Sequence, residues 1–524
     1  TPHEVSLLMS EIVAYHLRDR KEIKIYDPTS GSGSLLINIG RSVAKHMADE
    51  NNIRYYAQEL KQNTYNLTRM NLVMRGILPA NIEVRNGDTL ENDWPWFDES
   101  DPVGTYNPLY VDAVVSNPPY SQHWDPTGKD GDPRYARFGM APKSKADYAF
   151  LLHDLYHLKP DGLMTIVLPH GVLFRGGEEG DIRRNLIENN HIDAIIGLPA
   201  NIFFGTGIPT IIMVLRQKRE NTDVLIIDAS KGFEKVGKNN RLRSSDIRRI
   251  VDAYIARADL PKFSRKISRD EIRKNEYNLN IPRYVDSSEG AESWDIYASM
   301  FGGIPMSEIN ALSDYWDAFP GLKEALFTWN DTPYAALAAD DIANAIRTHS
   351  AVQNFVSAFD HAFSDFPQFL RSELIGNAET LPAAREENVL ADMIFERLSH
   401  LPLIDRYEAY QLLDDSWTKT AVDLEIIQTE GMDAVRKVDP RMILKKKGDK
   451  ESEVQDGWVG RVLPFDLVQR ELLQTSLADL TAKETRLSEI SASYDELLDA
   501  IPEDDRSGDS FSEDGSGFVP AAVA

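Results

Sequence analysis

The chain has 524 residues, no cysteine and a formal net charge of −26 at pH 7. The absence of cysteine excludes a disulfide framework, a thiolate zinc or iron–sulfur site and a cysteine nucleophile. No apolar run approaches the ~18 residues of a membrane span, so we expect a cytoplasmic protein with no membrane partner.

The negative charge is concentrated in the C-terminal part of the chain. Residues 301–524 carry 42 acidic and 19 basic side chains, whereas residues 1–300 are nearly neutral. Residues 201–283 form a basic strip with 18 basic and 10 acidic side chains. The average charge therefore hides a near-neutral body, a basic strip and an acidic C-terminal third.

Short apolar runs alternate with helix-length amphipathic segments between residues 22 and 228. The runs are Ile23–Tyr26, Tyr55–Gln58, Ile82–Arg85, Val111–Ser116, Leu163–Leu168, Ile192–Gly197, Thr210–Leu215 and Val224–Asp228. This alternation predicts βαβ units and a doubly wound, mostly parallel α/β sheet in a domain of residues 1–285. Ligands of such sheets bind at the carboxyl ends of the strands, where we expect the functional residues.

Residues 286–470 predict a mainly helical acidic extension with few strand signals. Residues 471–501 predict one long helix, in which apolar side chains recur every seven residues at Leu473, Leu480, Leu487, Tyr494 and Ile501. This spacing suits coiled-coil pairing with a partner subunit, and it equally suits a helix packed on its own domain. Residues 502–524 are acidic and rich in Gly and Ser, which predicts a disordered tail.

A glycine-containing turn follows the first predicted strand and precedes a helix, in the segment Asp27-Pro28-Thr29-Ser30-Gly31-Ser32-Gly33-Ser34. Glycine lets the backbone approach a ligand closely, and helix N–H groups there face a negative group. Leu36 stands where a dinucleotide fingerprint needs a small residue, and the lysine of a phosphate loop is absent. NAD and ATP are therefore disfavoured.

Acidic residues end the next two predicted strands. Glu59 could accept both hydroxyls of a ribose, and Asp88 could accept from an adenine amino group. Each is more often a solvated loop acid when taken singly. Together with the glycine turn they indicate a ligand with a carboxylate, a ribose and an adenine but no phosphate, which fits S-adenosylmethionine.

The fourth predicted strand ends in Asn117-Pro118-Pro119-Tyr120. The two prolines fix the backbone, so the Asn117 amide oxygen and the Pro118 carbonyl become converging acceptors beside the Tyr120 ring. Such a site suits a planar amino group stacked on an aromatic ring. Accepting both amino hydrogens would free the nitrogen lone pair for attack on a methyl group.

These motifs resemble those of methyltransferases that act on adenine N6 in DNA. Four further segments narrow the resemblance to gamma-type modification (M) subunits of type I restriction-modification systems. They are Thr1-Pro2-His3-Glu4-Val5, residues 143–150 and the pair formed by residues 201–209 and 277–281. The resemblance covers residues 1–285 and implies a seven-stranded, Rossmann-like S-adenosylmethionine-dependent methyltransferase sheet.

The resemblance also implies roles for individual residues. Asn117, Pro118 and Pro119 would hold a flipped adenine for direct in-line methyl transfer, with Tyr120 stacked on the base. Phe203 or Phe204 would cover its other face, a choice that the sequence leaves open. The cofactor would be surrounded by Thr1, Asp27, Gly31, Ser32, Gly33, Glu59 and Asp88.

The partners implied by the resemblance are double-stranded DNA and a separate specificity (S) subunit, with a restriction (R) subunit and a second M subunit as further candidates. The host would be bacterial or archaeal. M subunits begin with a helical domain before the Thr-Pro segment, so we expect this chain to be an incomplete M subunit. In the basic strip, Arg241, Arg243 and Arg248 could contact a DNA backbone, or the strip could be a solvated face or a docking surface for an acidic partner.

Three alternatives stay open at this point. Asn-Pro-Pro-Tyr is also similar to the motif of protein-glutamine and RNA amino-methyltransferases, and a non-catalytic assembly subunit could retain a vestigial site.

His153 and His157 are spaced as a metal pair on a helix, but a zincin glutamate and a third ligand are missing. We therefore predict a helix-surface pair and no metal.

Overall fold

The computed structural model describes residues 1–93, 109–288, 294–329, 332–447, 450–502, 506, 508–512 and 517–519. The chain forms two compact units, residues 1–365 with 384–416, and residues 366–383 with 417–524. The sequence placed a boundary at residue 286, whereas the first unit continues past it. The predicted tail, residues 502–524, lies largely outside the described residues.

A mostly parallel sheet of nine strands forms the centre of the first unit within the described ranges. Its first eight strands are β1 (Ile23–Asp27), β2 (Ile53–Glu59), β3 (Ile82–Asn86), β4 (Val111–Ser116), β5 (Leu158–Pro169), β6 (Ile192–Gly197), β7 (Thr210–Arg216) and β8 (Val224–Asp228). A short hairpin of β9 (Glu234–Val236) and β10 (Asn239–Arg241) precedes the ninth, β11 (Ser264–Ile267). The order across the sheet is β3-β2-β1-β4-β5-β7-β6-β8-β11.

The eight apolar runs all lie within strands of this sheet, which confirms the predicted α/β class. The implied number of seven strands was too low, because β8 pairs in parallel with β6, and β11 then pairs antiparallel with β8. Strand β7 also runs antiparallel to both of its neighbours. The sequence missed β11 because this strand has two exposed charged residues and no apolar run.

Helices cover both faces of the sheet, as a doubly wound fold requires. They are α1 (His3–Leu17), α2 (Ser34–Ala44), α3 (Gln62–Met74), α4 (Asp147–Tyr156), α5 (Glu178–Glu188), α6 (Ser244–Ala256) and α7 (Arg269–Lys274). Tyr26 and Val114 belong to one apolar layer, and their neighbours Ile25 and Val115 belong to the other. Successive strand residues point to opposite faces, so both faces of the central strands are buried.

The first unit continues beyond the sheet with short helices and a small three-stranded sheet. The helices are Ile296–Phe301, Met306–Ala311, Ser313–Ala318, Leu322–Leu326, Ile342–Thr348 and Ser350–Phe363, and the strands are Ile304–Pro305, Phe327–Thr328 and Tyr334–Leu337. Residues 384–416 of this unit include most of the helix Ala383–Leu398 and the start of the helix Arg406–Glu430. Within the described ranges, no helix is long and apolar enough to cross a membrane.

The second unit contains helices and an antiparallel hairpin. Besides the end of Arg406–Glu430, its elements are Phe366–Leu370, a π-helical turn at Arg371–Ile375, the strands Val438–Lys447 and Lys450–Gly460, and the helices Phe465–Leu472 and Gln474–Asp499. The sequence predicted few strands here and missed the hairpin. Leu444 and Val454 on its strands are exposed. Where the burial of the hairpin's side chains is described, none is buried, so the sequence lacks the apolar alternation that marks a half-buried strand.

The helix Gln474–Asp499 lies inside the segment predicted as one long helix. Its heptad side chains Leu480, Leu487 and Tyr494 are all exposed. These side chains therefore do not form a buried seam within the described part of the chain, and pairing with a partner subunit stays a prediction.

Candidate active site

The carboxyl edge of the parallel strands gathers the predicted ligand residues. Strand β1 pairs in parallel with β2 and β4, and β2 pairs with β3, so Asp27, Glu59 and Asn86 all end at one edge of the sheet. The Gly31 N–H donates to Glu59 Oε2 at 3.0 Å, which connects the glycine turn to the end of β2. The first two predicted cofactor segments are thus in direct contact.

Asp27 is fully buried and has an unsatisfied carboxylate oxygen. Its Oδ1 accepts the Thr29 N–H at 3.0 Å, whereas Oδ2 has no hydrogen-bond partner among the residues described. Burial raises the pKa of Asp27 to about 7, against the lowering effect of the Thr29 N–H. A buried acceptor without a donor is costly, so this oxygen suits a ligand that brings a donor, such as an amino group.

The glycine turn has the backbone shape that a closely bound ligand needs. Gly31 and Gly33 have φ of +55° and +78°, in the left-handed region that side chains disfavour. A Cβ at Gly33 would also lie 3.3 Å from Thr68 Cγ2, whereas no atom lies within 4 Å of a Cβ at Gly31. The Ser32 carbonyl accepts from Asn71 Nδ2 at 2.8 Å, so the turn is held from α3 just before α2 begins.

Backbone N–H groups orient the other two acidic side chains. Glu59 Oε1 accepts from the Lys61 N–H at 3.0 Å, and Asp88 Oδ1 accepts from the Leu90 N–H at 2.9 Å. Each carboxylate oxygen can accept more than one hydrogen bond. The acceptor set of Asp27, Glu59 and Asp88 therefore fits the amino group, the ribose hydroxyls and the adenine amino group of S-adenosylmethionine.

The segment after β4 forms a hydrogen-bonded turn at the same edge. Asn117 Oδ1 accepts from the Tyr120 hydroxyl at 2.8 Å, and Asn117 Nδ2 donates to Thr1 Oγ1 at 2.9 Å. Burial raises the pKa of Tyr120, which keeps its hydroxyl protonated as a donor. Pro118 is buried and Pro119 is exposed. The predicted substrate residue Asn117 and the predicted cofactor residue Thr1 are therefore in contact.

The two candidate stacking rings lie in different environments. Phe203 is 7% exposed and meets Tyr120 edge to face, with ring centroids 5.9 Å apart and planes at 87°. Phe204 is 79% exposed. Phe203 thus supports Tyr120 from within the core, whereas Phe204 is the ring that can approach a ligand from solvent.

His153 and His157 are not the surface pair that the sequence predicted, because both are fully buried, His153 within α4 and His157 directly after its last residue. A third group is also present, since His157 Nε2 lies 2.9 Å from Asp93 Oδ1. Arg134, however, places an N–H 3.1 Å from His153 Nδ1. The guanidinium uses the lone pair that a metal would need and adds a positive charge, so we assign no metal here.

The sequence missed Arg134, because it lies in a loop without periodicity; the loop's length was the only available signal. Burial, together with His157 and Arg134, lowers the pKa of His153 well below its usual range. His153 is therefore a neutral member of a buried polar network that includes the Tyr26 hydroxyl at 3.1 Å.

The three arginines predicted to contact DNA are paired with acidic side chains of the same chain. Arg241 donates to Glu234 at 2.7 Å. Arg243 pairs with Asp246 at 3.1 Å and with Glu408 at 3.0 Å, and Arg248 pairs with Asp252 at 3.0 Å and with Asp392 at 2.8 Å. Arg243 and Arg248 thus contact acidic residues of 384–416 within the same unit, whereas DNA contact by the three arginines and docking of an acidic partner stay predictions.

Comparison with known proteins places the chain in a family. Residues 1–293 match the family model described as N-6 DNA Methylase. The chain is 39% identical over 302 residues to the type I restriction enzyme MpnII methylase subunit of Mycoplasma pneumoniae, covering 56% of this chain and 54% of that protein. It is 34% identical over 310 residues to the MjaVII methylase subunit of Methanocaldococcus jannaschii, covering 56% and 50%.

A solved structure extends the similarity to the fold. The crystal structure of the type I restriction-modification system methyltransferase subunit from Streptococcus thermophilus superposes with a TM-score of 0.52 at 48% identity, covering 55% of this chain and 59% of that chain. The chain spans about half the length of the curated relatives it matches. These matches confirm the resemblance drawn from the motifs, and because the family model covers more than half of the sequence, the chain belongs to the N-6 DNA methylase family.

Proposed function

We propose that this chain is the catalytic part of a type I modification subunit that transfers a methyl group from S-adenosylmethionine to N6 of a flipped adenine in DNA. The observation that carries the proposal is the arrangement at one sheet edge of Asp27, with its unpartnered oxygen, and Asn117, with its adjoining prolines and Tyr120. The names of the relatives support the same assignment.

S-adenosylmethionine supplies an electrophilic methyl group on a sulfonium when bound. We assign Asp27 Oδ2 to its amino group, the turn of Gly31, Ser32 and Gly33 to its carboxylate, and Glu59 and Asp88 to its ribose and adenine. Thr1 contacts Asn117 and so would border both ligands.

Asn117 is proposed to hold the adenine amino group. Its Oδ1 already accepts the Tyr120 hydroxyl and has a second lone pair for an amino hydrogen. The Pro118 carbonyl would accept the other hydrogen, which biases the nitrogen towards tetrahedral geometry and directs its lone pair at the methyl group. Direct in-line transfer would then form the N6–methyl bond as the sulfur–methyl bond breaks, with S-adenosylhomocysteine as the leaving thioether, one amino proton released to solvent and no covalent enzyme intermediate.

The proposed partners are double-stranded DNA and a specificity subunit, with a restriction subunit and a second M subunit as additional members. The chain's own sequence contains no recognised base-reading module, so we assign sequence recognition to the specificity subunit. The exposed side chains Leu480, Leu487 and Tyr494 of the helix Gln474–Asp499 are the proposed pairing surface for such a partner.

The first test is methylation of plasmid DNA with labelled S-adenosylmethionine, with and without a specificity subunit encoded beside this chain. We expect N6-methyladenine only with the partner. Asn117→Ala should lower the rate about a hundredfold, because a positioned acceptor is lost in the transition state, while S-adenosylmethionine still binds. Full activity of the variant, or product other than N6-methyladenine, would reject the assignment.

The second test uses the raised pKa of Asp27. A carboxylate pairs with a cationic amino group and a protonated carboxyl does not, so affinity for S-adenosylmethionine should fall as the pH drops through the Asp27 pKa of about 7. Calorimetric titrations between about pH 6 and about pH 7.5 measure this dependence. Asp27→Asn should bind more weakly and lose the pH dependence; an unchanged profile would contradict the role.

The third test separates the two phenylalanines. Phe204→Ala should lower kcat/KM for DNA about tenfold by removing a stacking face, with no change in thermal stability. Phe203→Ala is the matched variant and should lower the free energy of unfolding by about 3 kcal/mol, because it empties a buried position. Equal DNA kinetics in wild type and Phe204→Ala would assign the stacking role elsewhere.

The fourth test concerns the basic strip, which adjoins the proposed base site. Asn240, which directly precedes Arg241, donates its backbone N–H to the Asn201 carbonyl at 3.0 Å and its Nδ2 to the Ala200 carbonyl at 2.7 Å, close to Phe203 in the chain. If DNA contacts these arginines, the acidic residues of 384–416 must give way. Asp392→Asn with Glu408→Gln should then strengthen DNA binding.

Reversal of charge in the double variant Arg241→Glu, Arg243→Glu should weaken binding to DNA of any sequence. The slope of log affinity against log salt concentration should fall by about one unit per lost contact. Fluorescence-anisotropy titrations at several salt concentrations distinguish these outcomes. Unchanged affinity and salt slope in both variants would leave the strip as a docking surface for residues 384–416 alone.

A further inference from the structure

Arg134 is an almost completely buried arginine in the loop that joins Tyr120 to α4, with 4% of its surface exposed. All five of its N–H donors have acceptors. Nε and Nη2 donate to the Asp132 carboxylate at 3.0 and 2.6 Å, and Nη1 lies 3.1 Å from His153 Nδ1. The remaining two donors reach the backbone carbonyls of Thr89 at 3.0 Å and Leu90 at 3.2 Å.

The two carbonyls belong to the segment that orients Asp88. The Leu90 N–H donates to Asp88 Oδ1 at 2.9 Å, so the position of Leu90 determines the direction of that carboxylate. Thr89 Oγ1 donates to the Pro28 carbonyl at 2.6 Å, next to Asp27. Arg134 therefore binds the backbone segment that links Asp88 to the neighbourhood of Asp27, and both of these residues are proposed to bind the cofactor.

The loop that carries Arg134 begins directly after Tyr120, and its residues contact one another across the loop. The Trp124 N–H donates to the Lys143 carbonyl at 3.1 Å, and the Trp124 ring meets the Tyr135 ring with centroids 5.4 Å apart. The Ser121 N–H donates to Asp147 Oδ1 at 2.7 Å, which anchors the start of the loop to α4. A side chain fixed in this loop thus joins the substrate segment to the cofactor segment.

We propose that Arg134 is a positioning residue that sets the geometry of residues 88–90 for the adenine end of the cofactor and couples that segment to the loop after Tyr120. This inference rests on the proposed function. The planar guanidinium reaches two successive carbonyls, a carboxylate and an imidazole at once, whereas a lysine ammonium has three donors on one nitrogen and cannot reproduce this fork.

Arg183 offers a matched control. It is 3% exposed and also donates to backbone carbonyls, those of Tyr277 at 2.7 Å, Val172 at 2.9 Å and Arg175 at 3.0 Å. None of these residues belongs to the proposed cofactor segments. Loss of Arg183 should therefore reproduce the cost of removing a buried arginine without moving Asp88.

The experiment titrates S-adenosylmethionine into wild type, Arg134→Met, Arg134→Lys and Arg183→Met by calorimetry, with thermal melts of each. Methylation assays of each variant with the specificity subunit give KM and kcat. We expect both Arg134 variants to bind about tenfold more weakly and to raise KM for S-adenosylmethionine more than they lower kcat. Arg183→Met should melt earlier and bind with an affinity within about twofold of wild type. If Arg134→Met does not fold, Arg134→Lys is the variant that is compared with wild type and with Arg183→Met.

Wild-type affinity in the folded Arg134 variants, or an equal loss in Arg183→Met, would overturn the inference while leaving the proposed function standing. No binding of S-adenosylmethionine by wild type would instead overturn the proposed function together with it.

Discussion

Parallel pairing of β1 with β2 and β4 is the constraint on which the rest of the structure depends. The pairing aligns Asp27 with Ala57, so that Glu59 reaches past the end of β1 and accepts the Gly31 N–H. A shift of one residue would exchange the faces of Ile25 and Tyr26, which belong to opposite apolar layers. The hydrophobic core thereby fixes the register, and the register brings the polar strand ends together.

Burial at this edge of the sheet has a free-energy cost, and it also changes the pKa of an acidic residue in the site. The fully buried Asp27 has one oxygen with no donor among the residues that the structure describes, and the same burial raises its pKa to about 7. By contrast, the guanidinium of Arg134 is fully satisfied by five acceptors. The site thus combines a rigid, satisfied support with one acceptor left open for a ligand, an arrangement typical of binding sites rather than of cores.

The uneven distribution of charge along the chain produces ion pairs within the first unit, apart from any contact with DNA. Arg243 and Arg248 on the basic strip bind Glu408 and Asp392, so part of the acidic C-terminal third lies against the sheet domain within the first unit. Ser245 reinforces this docking, because its N–H donates to Gln411 Oε1 at 3.0 Å. Ion pairs of this kind weaken with salt, which makes the exposure of the basic strip sensitive to ionic strength and to competing polyanions.

Local periodicity encodes the sheet class and the eight strands with apolar runs, and short motifs such as Asn117-Pro118-Pro119-Tyr120 encode the segments of the candidate site. Tertiary structure alone decided which ring is exposed, since Phe203 and Phe204 are adjacent and chemically identical. It also decided the partners of Arg134, Arg243 and Arg248 and the burial of His153. The long-range contacts among these, such as Arg134–His153 and Arg243–Glu408, join residues 19 and 165 positions apart, and no pattern within a window of sequence encodes them.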